Sequence, residues 1–350
     1  MRFLFFGAGA IGSYIGGSLS LQGHSVTFLE RPEAVAKLRA RGLSLDLSLA
    51  GYGVRQVAPS AFQAESDLEQ ALAHGPFDLA IFALKSFDTP AAAEAMRPWA
   101  EQFPPLLCLS NGVENETILR QALGEAKVIE GTVTSAVSRT EAGIVRLEKW
   151  RGMGWAASHP QAVRWQQVFA QAGLRPRLYA DGKAMKWSKL LTNLLANASS
   201  AILDMTPGAI FAHPGLYALE MEQLREALAV LRAQHLQVVD LPGTPVRLLA
   251  FLAQAPSWLR PLARPLLAKG RGQKMPSLHI DLYAGRRQSE VHFLNGAVVR
   301  FGEQYHVPVP TNRLLNDLLS RMVQGELPRE AFAHQPQKLL EAWARQRQSD

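Results

Sequence analysis

Short apolar blocks separated by glycine, asparagine or charge pattern the first half of the chain. Phe3-Leu4-Phe5-Phe6, Val26-Thr27-Phe28-Leu29, Phe77 to Leu84 and Leu106 to Ser110 are too short for helices and predict strands buried in a parallel sheet. Val128 to Val137, Gly143 to Lys149, Gly152 to Ala157 and Leu174 to Leu178 predict further strands, with helical periodicity at Ile11 to Leu21 and Val163 to Gly173. Such a βαβα order predicts a doubly wound sheet. After Asp181 the period changes. Lys183 to Leu203, Leu216 to Val239, Ser289 to Tyr305 and Asn312 to Met322 are long helical segments without convincing strands. The expected fold class is therefore α/β: a Rossmann-type domain over 1–180, followed by an all-helical domain over 181–350 that closes over a cleft.

The first strand empties into Gly7-Ala8-Gly9-Ala10-Ile11-Gly12. In this G-x-G-x-x-G pattern Gly7 makes a tight turn, Gly9 lets a pyrophosphate approach the backbone, and Gly12 lets the next helix pack on the strand. The helix N-terminus then faces the phosphates. The second strand ends in Glu30-Arg31. An acid there suits the ribose hydroxyls of NAD, whereas an arginine suits the 2′-phosphate of NADP. Arg31, with Lys37 and Arg39 adding positive potential, favours NADP; the alternative leaves Arg31 as a solvated loop residue.

Composition narrows the class. At 350 residues, with 47% hydrophobic and 19% charged residues, the chain has the profile of a soluble globular protein with room for two cores. Its apolar runs break within about a dozen residues, too short for a bilayer, and the first residues enter a strand without a cleavable signal pattern. Cys108 is the only cysteine, and no Cys/His cluster has metal-ligand spacing. A metal-free cytoplasmic enzyme is expected. The net charge of +7 is concentrated where Arg247, Arg260, Arg264, Lys269, Arg271 and Lys274 fall in a stretch without acids between Asp240 and Asp281. No aromatic stacking pattern accompanies it, so a solvated surface or an anion-holding lid is favoured over a nucleic-acid or membrane partner.

Three polar residues interrupt an apolar helix. Lys189, Asn193 and Asn197 recur every fourth position, which advances only about 40° per step, so on a continuous helix they share one stripe. If the stripe faces a cleft, a partly desolvated Lys189 can give a proton to a forming alkoxide, while the asparagines bind a carboxylate or hydroxyl. If it faces solvent, the helix is merely amphipathic. Glu290 stands at the mouth of an apolar face formed by Phe293, Leu294, Ala297 and Val298. It can pair with a lysine, hold a ribose hydroxyl, or cap its own turn. Lys85 and Asn111 each follow a strand at its carboxyl end, where open α/β sheets bind ligands.

These motifs, in this order, resemble the ketopantoate reductase family along nearly the whole chain. The resemblance adds Ala83-Leu84-Lys85, Ser110-Asn111-Gly112, Pro276-Ser277, Asp281, Gly285-Arg286, Ser289-Glu290-Val291, Leu294-Asn295-Gly296 and Val307-Pro308-Val309-Pro310-Thr311-Asn312. It implies NADPH-dependent reduction of 2-dehydropantoate to pantoate, on the route to pantothenate and coenzyme A. It makes Lys189 the proton donor and Asn193, Asn197 and Ser277 substrate-binding residues. Asn111 lies between nicotinamide and substrate, Glu290 and Lys85 contact the cofactor, and Arg31 meets the 2′-phosphate. Pro207 stands where some members carry a further asparagine, and the step from Asp281 to Glu290 is one residue longer. Another 2-oxo acid as substrate, or a non-catalytic NADP sensor, are the competing readings. A monomer and a homodimer both fit.

Overall fold

The computed structural model describes residues 1–256 and 274–349. Its residues group into two compact units: an α/β unit of Met1–Ser110, Glu114–Lys186 and Leu241–Thr244, and a helical unit of Asn111–Val113, Trp187–Asp240 and the described residues from Pro245 onward. The change of unit at Lys186–Trp187 falls inside the helix Gly182–Leu194.

Twelve strands form the α/β unit: β1 (Arg2–Phe6), β2 (Ser25–Leu29), β3 (Leu43–Asp46), β4 (Val54–Val57), β5 (Gln63–Glu65), β6 (Leu79–Phe82), β7 (Leu106–Cys108), β8 (Val128–Val133), β9 (Ala136–Glu141), β10 (Ile144–Lys149), β11 (Met153–Ala156) and β12 (Pro176–Tyr179). Eight of them make one sheet in the order β12-β11-β8-β7-β6-β1-β2-β5, parallel except where β11 runs against β8. β1 is central because its residues are buried on both faces. Phe3 and Phe5 join Phe28, Trp155 and Phe169 on one side, while Leu4 and Phe6 join Phe82, Leu106 and Cys108 on the other. Each such side chain contributes about 1.5–3 kcal/mol on leaving water. The chain winds outward from β1 through β2 to β5, then returns through β6, β7 and β8. The reversal puts the loops after β1 and β6 side by side at the carboxyl edge.

The single expected sheet is corrected here. β3, β4, β9 and β10 form a separate four-stranded sheet in the order β4-β3-β10-β9. The segment Val128 to Val137 divides between β8 of the large sheet and β9 of the small one, with Thr134 and Ser135 at the break; the hydroxyl of Thr134 and the backbone N–H groups of both residues bond Gly152 O. Leu43, Leu45, Val145 and Leu147 alternate inward to the core beneath the helix Ala10–Ser20, so that helix is covered on two sides.

No strand follows Tyr179 among the described residues, only an isolated bridge between Leu241 and Thr244. The helical unit is built chiefly from Pro214–Ala233, Asn295–Gln304, Pro310–Gln324 and Pro336–Ser349, packed against one another, with Pro310–Gln324 also against Ala198–Leu203. Ser289 to Tyr305 is not one helix: a short 3₁₀ turn, Glu290–Phe293, precedes Asn295–Gln304. Of the basic stretch, Arg260, Arg264, Lys269 and Arg271 lie outside the described residues. Arg247 opens the helix Val246–Gln254, its backbone N–H on Asp240. Among the described residues no helix is long and apolar enough to cross a membrane, and no group of three His, Cys, Asp or Glu could hold a metal.

Candidate active site

The glycine loop is held by its own backbone. Gly7 turns at φ +95°, and a Cβ on Gly12 would stand 1.9 Å from Gly7 O, so only glycine permits this approach of helix to strand. A Cβ on Gly9 would meet nothing within 4 Å. Gly9 is the N-cap of the helix Ala10–Ser20, which has no side-chain cap and no acid in its first turn. Its first N–H groups therefore suit an anion. The loop residues Gly7, Ala8, Gly9, Ala10, Ile11 and Gly12 thus fit the pyrophosphate of a dinucleotide. Beside them a cavity of about 520 Å³ is walled by Phe6, Leu29, Leu84, Ala91 and Ala92, with Glu30 and Arg31 at its polar side. Its apolar faces suit a flat heterocycle. Lys85 follows the same edge, half-buried, at the start of the turn Ser86–Asp88. Arg39 adds no loose positive charge: it pairs with Glu65 at 2.6 Å.

In the helical unit, hydrogen bonds connect three of the expected substrate positions, Asn111, Asn193 and Asn197. Asn193 Nδ2 donates to Asn111 Oδ1 at 3.0 Å, across 82 residues of sequence. Asn197 Nδ2 donates to Asn193 O at 3.0 Å, and Asn197 Oδ1 accepts from Leu278 N at 3.2 Å. Ser277, exposed, begins the helix Ser277–Tyr283 beside that bond. An amide side chain offers two N–H groups and two lone pairs, so these bonds use half of what Asn197 carries. Lys189 sits half-buried one turn before Asn193 on the same helix.

The continuous stripe needs correction. The helix stops at Leu194, Ala196 adopts φ +51°, and Asn197 opens a new helix, Ala198–Leu203. A non-glycine residue in the left-handed region costs roughly 1–2 kcal/mol. The buried carboxylate of Glu220 holds it there, accepting from Ala196 N at 2.7 Å and Ser199 Oγ at 2.5 Å, and from Gln223 Nε2. Gln223 continues the network to Asn295, Asn295 to Asn312, and Asn312 to Glu226. The kink therefore aims Asn197 at Leu278.

Glu290 is 2% exposed, at the first position of its turn, where Ser289 Oγ accepts from Val291 N. It is a buried acid rather than a rim residue.

Sequence reasoning missed two polar anchors, Glu220 and Lys186, and the loop-holding half of a third, Glu30. Glu220 lies among apolar residues of a long helix, and no local pattern marks it. Glu30 reads as a ribose ligand, yet its carboxylate already binds backbone N–H groups of Ala8 and Arg31, both at 2.9 Å. Lys186 lies on the buried face of Gly182–Leu194, flanked by Met185 and Trp187, and pairs with Glu116 at 2.8 Å. Burial opposes its charge, but Glu116, Cys108 and Glu130 outweigh that and raise its pKa above the ordinary lysine value. Burial, reinforced by Glu116, pushes the Cys108 thiol up, so it is an inert core residue.

A dinucleotide loop on a switch-point sheet edge, followed by a helical unit bearing lysine and clustered amides, defines a two-unit α/β nucleotide-binding protein. Comparison with known proteins makes the class specific. Residues 3–159 match the family model described as Ketopantoate reductase PanE/ApbA, and residues 181–323 match its C-terminal counterpart. The chain belongs to the ketopantoate reductase family. It is 28% identical over 337 residues to a 2-dehydropantoate 2-reductase of Halobacterium salinarum, covering 93% of this chain and 100% of that one. With that of Pyrococcus horikoshii it is 25% identical, covering 90% and 95%. Among solved structures, a PanE/ApbA family ketopantoate reductase from Ralstonia eutropha JMP134 superposes with TM-score 0.77 at 30% identity, covering 93% and 99%. A D-mandelate dehydrogenase complexed with NADH shares the fold, with TM-score 0.73 at 18% identity over 93% and 99%.

Proposed function

We propose that this protein catalyses NADPH-dependent reduction of 2-dehydropantoate to pantoate. The observation that carries the reading is the hydrogen-bonded line from Asn111 through Asn193 and Asn197 to Leu278, one helical turn from Lys189. Its support is family membership across both halves of the chain. NADPH, when bound, supplies the hydride that reaches the 2-oxo carbon. Lys189 gives the proton to the carbonyl oxygen, leaving a neutral amine that solvent reprotonates. Asn193, Asn197, Asn111 and Ser277 orient the carboxylate and hydroxyl through neutral hydrogen bonds, so the lysine remains the nearby cation. The glycine loop, Arg31 and Lys85 hold the nucleotide. Glu290, a buried acid, takes the cofactor-contacting role that the family resemblance implies.

Steady-state NADPH oxidation tests this, with 2-dehydropantoate beside unbranched 2-oxo acids. The expected result is the highest kcat/KM with 2-dehydropantoate. A higher value with another 2-oxo acid makes the protein a reductase of that acid; Pro207, rigid at the start of the helix Pro207–Ala212, is the feature that favours this second reading. Tight NADPH binding without oxidation by any of them leaves a sensor.

A further inference from the structure

The nucleotide cavity carries a charge balance at odds with strict NADPH use. Its wall holds three carboxylates, Glu30, Asp67 and Asp88, against one guanidinium, Arg31. Glu30 is the most firmly placed. Its Oε1 accepts from Ala8 N and its Oε2 from Arg31 N, while its own N–H donates to Glu65 O at 2.9 Å. A carboxylate offers about four acceptor sites, so two backbone bonds leave it able to accept ribose hydroxyls. It cannot swing away from a 2′-phosphate without releasing the glycine loop. A phosphomonoester there brings about −1.5 to −2 charge. Arg31 attracts that charge and Glu30 opposes it from the adjacent position.

We infer that Glu30 is the residue that sets cofactor choice, and that it gives this protein dual use of NADH and NADPH. This deepens the reading above, since it rests on a nicotinamide dinucleotide occupying this cavity. Arg31 admits the phosphorylated form, and Glu30 narrows its advantage by accepting hydroxyls of the unphosphorylated one. A unit charge within a few ångströms of a partly exposed site changes affinity by about tenfold.

The test is equilibrium titration of the full-length protein with NADPH and with NADH, read by tryptophan fluorescence at fixed ionic strength. In the wild type the two dissociation constants should lie within about tenfold of each other. Glu30→Gln removes the charge together with one of the two backbone bonds, since its amide nitrogen cannot accept, so both constants change but their ratio should shift toward NADPH by about tenfold. Arg31→Ala should shift it toward NADH. A wild-type preference for NADPH of about a hundredfold or more, or a ratio unmoved in Glu30→Gln, overturns the assignment. Binding of neither nucleotide overturns it together with the dinucleotide reading, whereas strong NADPH binding without NADH sinks it alone.

Discussion

Two glycines in one loop do different work. Gly12 is required by its neighbour: a methyl group there collides with the carbonyl of Gly7. Gly9 faces open space above a helix N-terminus. Gly12→Ala should therefore lower unfolding free energy by about 3 kcal/mol in chemical denaturation. Gly9→Val should leave stability nearly unchanged and weaken NADPH binding by about tenfold or more, read by calorimetric titration. Equal effects of the two in both assays would refute the distinction. Lys189 belongs to the same scale. If it donates the proton, Lys189→Ala should reduce turnover by about a hundredfold or more while NADPH affinity holds. Normal kcat in that variant excludes it as the donor.

At the scale of elements, the decisive feature is the break between Gly182–Leu194 and Ala198–Leu203. Glu220→Ala would leave the Ala196 N–H and Ser199 hydroxyl buried without their carboxylate. Unfolding free energy should fall by about 3 kcal/mol. The KM for the oxo acid should rise, with the NADPH dissociation constant unchanged, because Asn197 loses its aim. An unaltered KM in a folded variant argues that the kink is only structural. This break also marks where the sequence stops being readable. The four-residue spacing of Lys189 and Asn193 reveals a shared helix face because 3.6-residue periodicity is local. Nothing local predicts that Ala196 turns left-handed, since the carboxylate responsible lies 24 residues away. The small sheet was hidden for a similar reason. Leu43 and Leu45 alternate over a strand of only four residues, and β3 finds one partner in β10, about a hundred residues later. β1, β6 and β7 are similarly short, yet they announce themselves because burial on both faces makes them continuously apolar. Asn111 was findable from its place after β7, but its bond to Asn193 was not.

At the scale of the molecule, the α/β unit has a buried ion pair in its interior. The side chains of Lys186 and Glu116 are each 4% exposed. Lys186 also donates to Ser110 O at 2.5 Å, tying the end of a core strand to the helix that leads out of this unit. Removing one partner strands the other charge in a poor solvent. Glu116→Ala should cost about 3–5 kcal/mol, seen as a lower denaturation midpoint. A change under about 1 kcal/mol would mean that water reaches Lys186.

The strip Leu241–Thr244 belongs to the α/β unit although the chain has by then run through Trp187–Asp240 of the helical one, and Thr134 donates to Pro242 O at 2.8 Å. A ribosome thus delivers the final piece of the nucleotide-binding half only after the amide-bearing helix has been synthesised. No single cut in the gene can yield that half intact. A product ending at Lys186 should be digested faster by protease than the same region within the whole protein, so the two halves mature on one schedule.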